Sequence, residues 1–379
     1  MNNNSLKQDG QPFCWAPWTA IKYASTIYEQ TRLAPCCEWM GATTNNYFKG
    51  SLAEYKDSEW LASVKKQMLT HDMEKINISC KECIMHEKTR GISSRTGHNN
   101  RVEDKRFDKE YIQYFYFKPG NTCNLTCRMC NPDSSSLIAK ELNITSKMSS
   151  TDDIIDFDFS KVKVIRLIGG EPSIDPKVRK FIDFLEYNYA LVKNGKKKIP
   201  FLLSTSTNCT IANSKWLNRL SKFKFTDVAL SIDATGDIIE YIRTGVKWST
   251  LERNIEKLRQ VASCYFQITV GIYNFAVIEK WFDYFLKLRD VKIYMSPIIE
   301  PNYLSLNALP NEIKEEKIEW LSNIDHEYAK EAISMFNEHQ FDKILLDEFQ
   351  KFTIKKDKLY MTKIQNLDPI FTRLMEWKI

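Results

Sequence analysis

Short β-prone runs alternate with helix-like segments through the middle of the chain. The runs are rich in Val, Ile, Phe and Tyr, and the segments between them carry apolar residues at three- and four-residue spacing, the period of an amphipathic helix. We predict strands at 111–117, 163–168, 200–206, 226–233, 267–272 and 291–296, and helices at 134–142, 176–187, 214–221, 251–261 and 277–288. This alternation indicates an α/β fold with a parallel sheet, closed or partly closed as a barrel. Ligand chemistry is then expected at the carboxyl ends of the strands.

The regions on either side of this alternation have different patterns. Near the N-terminus, residues 18–25 and 31–35 predict the two strands of a hairpin, and residues 58–69 predict an amphipathic helix. After Pro301 the apolar positions follow helical spacing. We therefore predict three domains, namely a small N-terminal hairpin and helix module at 1–105, the barrel at 106–300 and a helical C-terminal extension at 301–379.

Composition and charge narrow the class of protein. The 379 residues are 43% hydrophobic and 27% charged, which is typical of a globular protein rather than a disordered one. The net charge of +6 is a mild excess, without the concentrated basic stripe that indicates nucleic-acid binding. No apolar run approaches the roughly 20 residues that span a bilayer, and the first residues lack the pattern of a signal peptide. We expect a cytoplasmic protein with no membrane partner.

Ten cysteines in such a chain indicate metal binding, because the cytosol keeps thiols reduced and disfavours disulfides. Three of them, Cys123, Cys127 and Cys130, form a CxxxCxxC run after the first predicted barrel strand. Three thiolates in one loop can bind three irons of a cubane cluster and leave the fourth iron open to an outside ligand. With one further ligand they also suit tetrahedral zinc, so the spacing alone leaves both metals open. Cys209 and Cys264 stand alone, as small core residues usually do.

The second barrel strand is followed by an unusual turn. Gly169 and Gly170 come first, and Glu171 and Pro172 come next. A pair of glycines alone would indicate only a tight turn. A glutamate directly after that turn, on the ligand side of the sheet, is hard to explain by packing, because burying a carboxylate without a partner is unfavourable. The turn is therefore a candidate part of a binding site.

These motifs, in this order, resemble the radical S-adenosylmethionine (SAM) superfamily, whose core is a partial (β/α)6 TIM-like barrel. The resemblance covers about residues 111–298 and rests chiefly on CNLTCRMC at 123–130 and IGGEP at 168–172. It implies that the three cysteines of the first motif bind a 4Fe–4S cluster and that SAM binds at the open iron of this cluster.

The resemblance also implies a SAM pocket along the strand ends. In this pocket Glu171 would hold the methionine amino group of SAM, and Arg243 would pair with its carboxylate. The residues that match SAM-binding positions of the family are Met129, Gly169, Gly170, Glu171, Pro172, Ser204, Ser206, Asn208, Ser231, Asp233, Arg243, Asn274 and Pro297.

Two of these positions depart from the family pattern. Met129 replaces a residue that is often aromatic, although a thioether can also pack on a purine face. Asn208 and Cys209 stand where Asn-Gly is more usual. Taken alone, Arg243 also fits a surface charge, and Asp233 also fits a residue that caps a turn.

The other cysteines form a dispersed group in the N-terminal module. Cys14 precedes the predicted hairpin, Cys36 and Cys37 follow it, and Cys80 and Cys83 form a CxxC pair farther along. A hairpin this small has little core of its own, so a bound metal would supply much of its folding free energy. The arrangement resembles the twitch domain, the half-size relative of the SPASM domain, although those domains usually follow the barrel. The resemblance implies a second, auxiliary 4Fe–4S cluster, with Cys36 preferred to Cys37; a zinc knuckle is the alternative.

The basic stretch at 86–106 lies between this module and the barrel. Its simplest interpretation is a solvated linker, because charge runs are usually exposed. A second hypothesis is that Arg90, Arg95 and His98 face the mouth of the active site and hold an anionic substrate.

The resemblance implies a radical SAM enzyme, in the broad class of oxidoreductases. An electron donor such as flavodoxin or ferredoxin would reduce the cluster, and SAM would be cleaved to methionine and a 5′-deoxyadenosyl radical that abstracts a hydrogen atom from the substrate. Relatives with twitch or SPASM domains favour a peptide or a small metabolite as substrate, with a nucleotide or nucleic acid as the alternative. From a different class, a non-catalytic iron–sulfur or zinc binding module also fits, although the intact cluster and GGEP motifs count against it.

Overall fold

The computed structural model describes residues 7–8, 11–27, 31–39, 46–145, 150–193, 195–288 and 292–377 of the chain. Their internal contacts divide the chain into two units. The first unit comprises Met1–Cys123, Pro132–Thr205 and Asn218–Thr226, and the second comprises Asn124–Asn131, Ser206–Leu217 and Asp227–Ile379.

All six predicted barrel strands are present, together with both strands of the predicted hairpin. The strands of the described residues are β1 Lys7–Gln8, β2 Gln11–Pro12, β3 Ala20–Ser25, β4 Thr31–Ala34, β5 Tyr114–Lys118, β6 Val164–Leu167, β7 Leu191–Lys193, β8 Lys196–Thr207, β9 Phe223–Ser231, β10 Ser263–Val270 and β11 Lys292–Pro297. Strand β8 begins earlier than predicted because its first residues pair with β7 as an antiparallel hairpin.

In the first unit the sheet order is β4, β3, β5, β6, β8. Strands β3, β5, β6 and β8 run parallel, and β4 is antiparallel to β3. The four aromatic residues of β5 are all buried, as expected for a strand covered on both faces of a parallel sheet. The N-terminal hairpin therefore extends the barrel sheet, since β3 pairs directly with β5.

In the second unit β9, β10 and β11 are parallel neighbours. Their apolar side chains are deeply buried; Leu230, Ile268 and Met295 each have 0% exposure. The fold is therefore α/β with a mostly parallel central sheet that does not close, which confirms the predicted partial barrel with added helices.

Most helices follow the sequence pattern, but the helix predicted at 277–288 is instead a 3-10 turn at Ile278–Lys280 followed by a short helix at Phe282–Lys287. Those of the described residues are α1 Ala16–Thr19, α2 Leu52–Tyr55, α3 Glu59–Leu69, α4 Met73–Ser79, α5 Lys81–Arg90, α6 Ser94–Glu103, α7 Ser136–Glu141, α8 Pro176–Tyr189, α9 Ser214–Ser221, α10 Gly236–Ile242, α11 Trp248–Arg259, α12 Ile272–Phe275, α13 Phe282–Lys287, α14 Asn311–Ser322, α15 Glu327–Glu338, α16 Lys343–Tyr360 and α17 Pro369–Met375. Short 3-10 turns lie at Asp152–Asp156, Phe159–Lys161, Ile278–Lys280, Asn302–Leu304, Leu306–Ala308 and Ile364–Asn366. Helix α8 shows the local reasons for its start, because the Asp175 side chain caps it and Pro176 occupies its first turn.

The interpretation of residues 86–106 as a solvated linker is wrong. The stretch contains the end of α5 and all of α6, and Arg95 and His98 are buried. Arg95 Nε donates to Glu87 Oε1 at 2.9 Å, and His98 Nε2 lies 2.9 Å from the Tyr116 hydroxyl. These partners inside the first unit make burial of the two polar side chains possible. They also use groups that the second hypothesis assigned to an anionic substrate; the Arg90 side chain lies outside the described residues.

Among the described residues, no helix combines the length and the apolar character needed to cross a bilayer.

Candidate active site

The loop that carries the three clustered cysteines is held at both ends in the first unit. Asn121 Nδ2 donates to the Pro132 carbonyl at 2.8 Å, and the Ser136 amide donates to the Asn121 carbonyl at 2.8 Å. The Cys123 amide donates to Ser136 Oγ, and the Ser136 hydroxyl donates to the Cys123 carbonyl, each at 3.2 Å. The first cysteine is therefore fixed by the start of α7.

The middle of the same loop belongs to the second unit. The Cys130 amide donates to the Cys127 carbonyl at 3.0 Å, so these two cysteines flank a tight turn. The Thr126 amide donates to the Thr244 carbonyl at 3.2 Å, and the Arg128 amide donates to the Ile242 carbonyl at 2.9 Å. The loop thus runs beside the end of α10, next to Arg243.

The glycine turn after β6 packs on the chain just before Cys123. A Cβ at Gly170 would lie 2.2 Å from the Thr122 carbonyl oxygen, and Gly169, with φ +136°, has the Gly120 carbonyl 2.8 Å from its Cβ position. The Glu171 amide donates to the Thr122 carbonyl at 2.7 Å. Only glycine permits this approach, so the glycine turn contacts the segment that directly precedes the cysteine motif.

Glu171 itself is buried, with 1% exposure. Its Oε1 accepts from the Ser173 amide at 3.1 Å. Pro172 beside it is also buried. A carboxylate buried this deeply next to the cysteine loop is an unusual feature, because Glu side chains are rarely fully buried.

Arg243 and Asp233 form a buried ion pair in the second unit. Arg243 Nε donates to Asp233 Oδ2 at 2.7 Å, and Asp233 Oδ1 accepts from the Thr269 amide at 2.8 Å. Burial lowers the pKa of the Arg243 guanidinium, but Asp233 and the nearby Cys127 thiol outweigh it and raise the pKa above its ordinary value. The alternative of a surface charge at Arg243 is therefore wrong, and its guanidinium lies close enough to the Cys127 thiol to interact with it.

Two predicted asparagines use their side chains to shape strand ends. Asn274 Nδ2 donates to the carbonyls of Asp233 and Thr269 at 2.9 and 3.0 Å, and its Oδ1 accepts from the Gly271 amide. Asn208 Oδ1 accepts from the Thr210 amide at 3.0 Å. In these contacts both side chains hydrogen-bond to backbone groups and so fix the local backbone conformation.

Cys209 follows Asn208 in the left-handed region, with φ +62°. Glycine adopts this conformation without the steric cost of a Cβ. The left-handed backbone at position 209 therefore explains why glycine is the more usual residue after the asparagine in the family that the sequence resembles.

The other predicted pocket residues vary in their surroundings. Ser204 is buried and accepts from Arg166 Nη1 at 2.5 Å. Met129, Ser206, Ser231 and Pro297 are half-buried.

Sequence reasoning missed a polar row on one face of the first-unit sheet. Lys22, Tyr116, Arg166 and Ser204 are register neighbours on β3, β5, β6 and β8, so their side chains share a face. The available signal was a charged residue inside an otherwise apolar strand, as in Val-Ile-Arg-Leu of β6.

Sequence reasoning also missed a buried ion pair between Arg128 and Asp357. Arg128 lies between two of the clustered cysteines, and Asp357 lies in α16. No local pattern joins two residues so far apart in the chain.

Cys14 and Cys80 lie in one hydrophobic core of the first unit, with aromatic neighbours that include Phe13 and Trp39, and the partly buried Cys36 and Cys37 pack against it. Cys83 is also buried. Burial raises the pKa of Cys14 to about 12 and that of Cys80 to about 11, and the Cys80 thiol contributes to the shift at Cys14. Burial also raises the pKa of Cys36 well above its ordinary value, with further contributions from the thiols of Cys37, Cys83, Cys14 and Cys80. Cys36 is thus near enough to four other thiols for their charge to raise its pKa.

Cys37 differs from Cys36 in its surroundings. Burial raises its pKa to about 12, and the other influences on it are Glu38, which raises it, and Arg166 and Lys22, which lower it. Its Sγ donates to Glu38 Oε1 at 3.3 Å. The influences on the Cys37 thiol besides burial thus come from charged side chains, whereas those on Cys36 come from thiols, the Cys37 thiol included.

One further polar group lies in this thiol-rich core. Arg95 Nη1 is buried and has no hydrogen-bond partner among the described residues. Burial lowers the pKa of Arg95, but Glu87, Cys14 and Cys80 raise it overall. An orphaned cationic N–H beside thiols fits a site that carries negative charge when it is filled. In the described part of the chain, no three Cys, His, Asp or Glu side chains are already grouped around a single metal position; in a cubane, each thiolate binds a different iron.

Comparison with known proteins agrees with the barrel motifs. Residues 117–285 match the model of the Radical SAM superfamily. The N-terminal cysteine module and the C-terminal helices lie outside the matched segment, and no curated protein matches the chain.

Several solved structures are similar at low identity. Native anSMEcpe with bound AdoMet is 19% identical over 63% of this chain and 66% of its own chain, with a TM-score of 0.42. SuiB of Streptococcus suis bound to S-adenosylmethionine is 12% identical over 80% of this chain and 69% of its own, with a TM-score of 0.35. SuiB bound to precursor peptide SuiA is 11% identical, over 80% and 70% of the two chains, with a TM-score of 0.37. The chain thus spans slightly less than two thirds of anSMEcpe.

Proposed function

We propose that this protein is a radical SAM enzyme in which Cys123, Cys127 and Cys130 bind a 4Fe–4S cluster and SAM binds beside them. The observation that carries this proposal is the contact of the Gly169–Gly170 turn with the chain just before Cys123, inside the segment that matches the superfamily. A zinc site would explain the cysteines but not the glycine turn and its buried glutamate. The fit therefore favours the cluster.

A reduced cluster held by Cys123, Cys127 and Cys130 would supply the electron for cleavage of SAM into methionine and a 5′-deoxyadenosyl radical, which would take a hydrogen atom from the substrate. The chain's own residues position the reactants and exclude water. The Glu171 carboxylate accepts hydrogen bonds from the ammonium group of SAM. Arg243, oriented by Asp233, donates to the SAM carboxylate. The electron comes from a cytoplasmic donor such as flavodoxin or ferredoxin.

We also propose that Cys14, Cys36, Cys80 and Cys83 hold an auxiliary 4Fe–4S cluster in a twitch-like module at 1–105. Three observations support this ligand set. The thiols of Cys83, Cys14 and Cys80 all raise the pKa of Cys36. Cys14 and Cys80 are buried in one hydrophobic core, and Cys36 packs against it. The orphaned Arg95 N–H lies beside Cys14 and Cys80. Cys37 is left out because its thiol contacts Glu38. A structural zinc remains the competing metal, and metal analysis of the purified protein distinguishes the two.

The substrate that we favour is a peptide or a small metabolite, in line with the resemblance to twitch and SPASM relatives. The auxiliary cluster would bind this substrate or accept an electron from it. Residues 106–300 supply the barrel, and the helices of 301–379 belong to the second unit.

Anaerobic reconstitution tests the proposal. Wild-type protein reduced with dithionite should convert SAM to 5′-deoxyadenosine and methionine, measured by liquid chromatography and mass spectrometry. Cys127→Ala should abolish the reaction by removing an iron ligand, whereas Cys264→Ala should leave it intact. An iron-loaded, folded wild type that never cleaves SAM with any reductant would favour the non-catalytic binding module instead.

A further inference from the structure

Arg128 is unusual among the residues of the cysteine loop. It lies within the CNLTCRMC run, where the neighbouring cysteines must remain accessible to the cluster, yet its side chain has 0% exposure. Its Nε donates to the Tyr241 carbonyl at 3.0 Å, and its Nη2 donates to Asp357 Oδ1 at 2.9 Å. A buried guanidinium is tolerated only when it is paired and hydrogen-bonded, so these partners are required for the loop to take this position.

Asp357 collects several donors at one carboxylate. Besides Arg128, its Oδ1 accepts from the Tyr241 hydroxyl and the Thr362 hydroxyl, each at 2.7 Å. Its Oδ2 accepts from the Ile364 amide at 2.9 Å. Helix α16 and the turn after it are thereby fixed around the same carboxylate that holds Arg128.

The guanidinium is also held from one face. Its centre lies 3.6 Å from the centroid of the Tyr241 ring and 5.4 Å from that of Tyr360. Burial raises the pKa of Tyr241 far above its usual range, so its ring remains neutral and its hydroxyl remains a donor to Asp357. A planar cation between an aromatic face and a carboxylate has little freedom to move.

The backbone around Arg128 connects this arrangement to the predicted SAM carboxylate site. The Arg128 amide donates to the Ile242 carbonyl, and the Thr126 amide donates to the Thr244 carbonyl. Arg243 lies between these two acceptors, and its charge acts on Cys127. The position of Cys127 relative to Arg243 therefore depends on the same contacts.

We infer that Asp357 and Arg128 form a clamp by which the C-terminal helix α16 sets the position of the cysteine loop against Arg243. The inference rests on the proposed function. Both residues are positioning residues: Arg128 Nε and Nη2 contact protein groups, and its Nη1 is buried without a partner in the described residues. The C-terminal extension, in which the sequence showed no catalytic constellation, then contributes to SAM binding without touching SAM.

Full-length Asp357→Asn tests the clamp, because it keeps the shape of the side chain and removes its charge. Asp347→Asn is the matched control, since Asp347 lies on the same helix in an exposed pair with Lys343. The readouts are iron content, the unfolding midpoint, and SAM affinity measured from the change in the electron paramagnetic resonance spectrum of the reduced cluster as SAM is added. Asp357→Asn should retain the cluster but bind SAM about tenfold more weakly, the loss expected for one charge-assisted hydrogen bond. The control should bind SAM like the wild type.

A milder variant keeps the test decisive if Asp357→Asn does not fold. Tyr241→Phe removes one donor to the carboxylate without changing charge and should weaken SAM binding by roughly two- to tenfold, the range for a neutral hydrogen bond. Unchanged SAM affinity and an unchanged spectrum in a folded clamp variant, with only the unfolding midpoint lowered, would overturn the inference and leave a packing role. Failure of the proposed function is distinguishable, because it would appear as a wild-type protein that neither binds SAM at its cluster nor cleaves it.

Discussion

Gly170→Ala probes the contact between the glycine turn and the cysteine loop. The added Cβ would lie 2.2 Å from the Thr122 carbonyl oxygen, 2.6 Å from the Thr122 carbonyl carbon and 2.7 Å from the Asn121 carbonyl carbon. All three atoms are backbone, so no side chain can rotate away. Relief requires the two segments to separate by about 1 Å, to a normal van der Waals distance. Because Thr122 directly precedes Cys123, the displacement reaches a proposed iron ligand.

The expected effects can be estimated from this displacement. Overpacking should lower the free energy of unfolding by about 1–3 kcal/mol, and a shift of about 1 Å at a reacting centre can lower the rate about 100-fold. Urea unfolding gives the first quantity. The initial rate of 5′-deoxyadenosine formation, at saturating SAM and equal iron content, gives the second.

Gly195→Ala is the matched control. Gly195 has φ +71° and no atom within 4 Å of its Cβ position, so alanine there is strained but meets no clash. It should lower stability by about 1 kcal/mol, the cost of the left-handed conformation, and leave SAM cleavage unchanged. A Gly170→Ala protein that cleaves SAM at the wild-type rate would refute the argument that this close approach positions the cluster loop.

Three further predictions address the metal sites and the SAM pocket. Fully reconstituted protein should hold about eight irons per chain, and replacing all three cysteines of the barrel loop should leave about half; zinc in place of the remaining iron would contradict an auxiliary cluster. Arg243→Gln should weaken SAM binding at least tenfold, because an interaction of ~1.5–3 kcal/mol is lost, while the cluster spectrum persists. The control Arg253→Gln, at an exposed position, should bind SAM with wild-type affinity. Equal affinity in both variants would mean that the pocket is misplaced. Cys36→Ala should lose the N-terminal iron and Cys37→Ala should keep it, as measured by iron analysis; the reverse result would exchange their roles.

Much of the barrel could be predicted because the local sequence of each element favours the same structure that the whole fold requires. The strand runs are apolar and bounded by turn residues, and the strand ends carry the polar residues that ligands need. Gly169 and Gly170 could be recognised in the sequence because a close approach of two backbone segments requires glycine. Glu171 was recognisable by its place after them.

The sequence could not predict features that depend on distant partners. Arg128 and Asp357 each look like ordinary charged residues, and only the folded chain brings them together. Residues 86–106 have the composition of a solvated linker, yet Arg95 and His98 are buried, with Glu87 and Tyr116 as hydrogen-bond partners. The hydrogen bonds of these two side chains make their burial possible, although the composition of the segment favours exposure.

The pairing of β3 with β5 affects how the N-terminal module can be studied and how it can form during synthesis. Strand β3 reaches its parallel partner only after the chain as far as Tyr114–Lys118 has been made. A fragment that stops at residue 105 would lack this partner and would present an unpaired strand edge to other molecules, which favours aggregation. We expect such a fragment to be insoluble even with iron supplied, whereas one that continues through β6 has the neighbours that this edge requires.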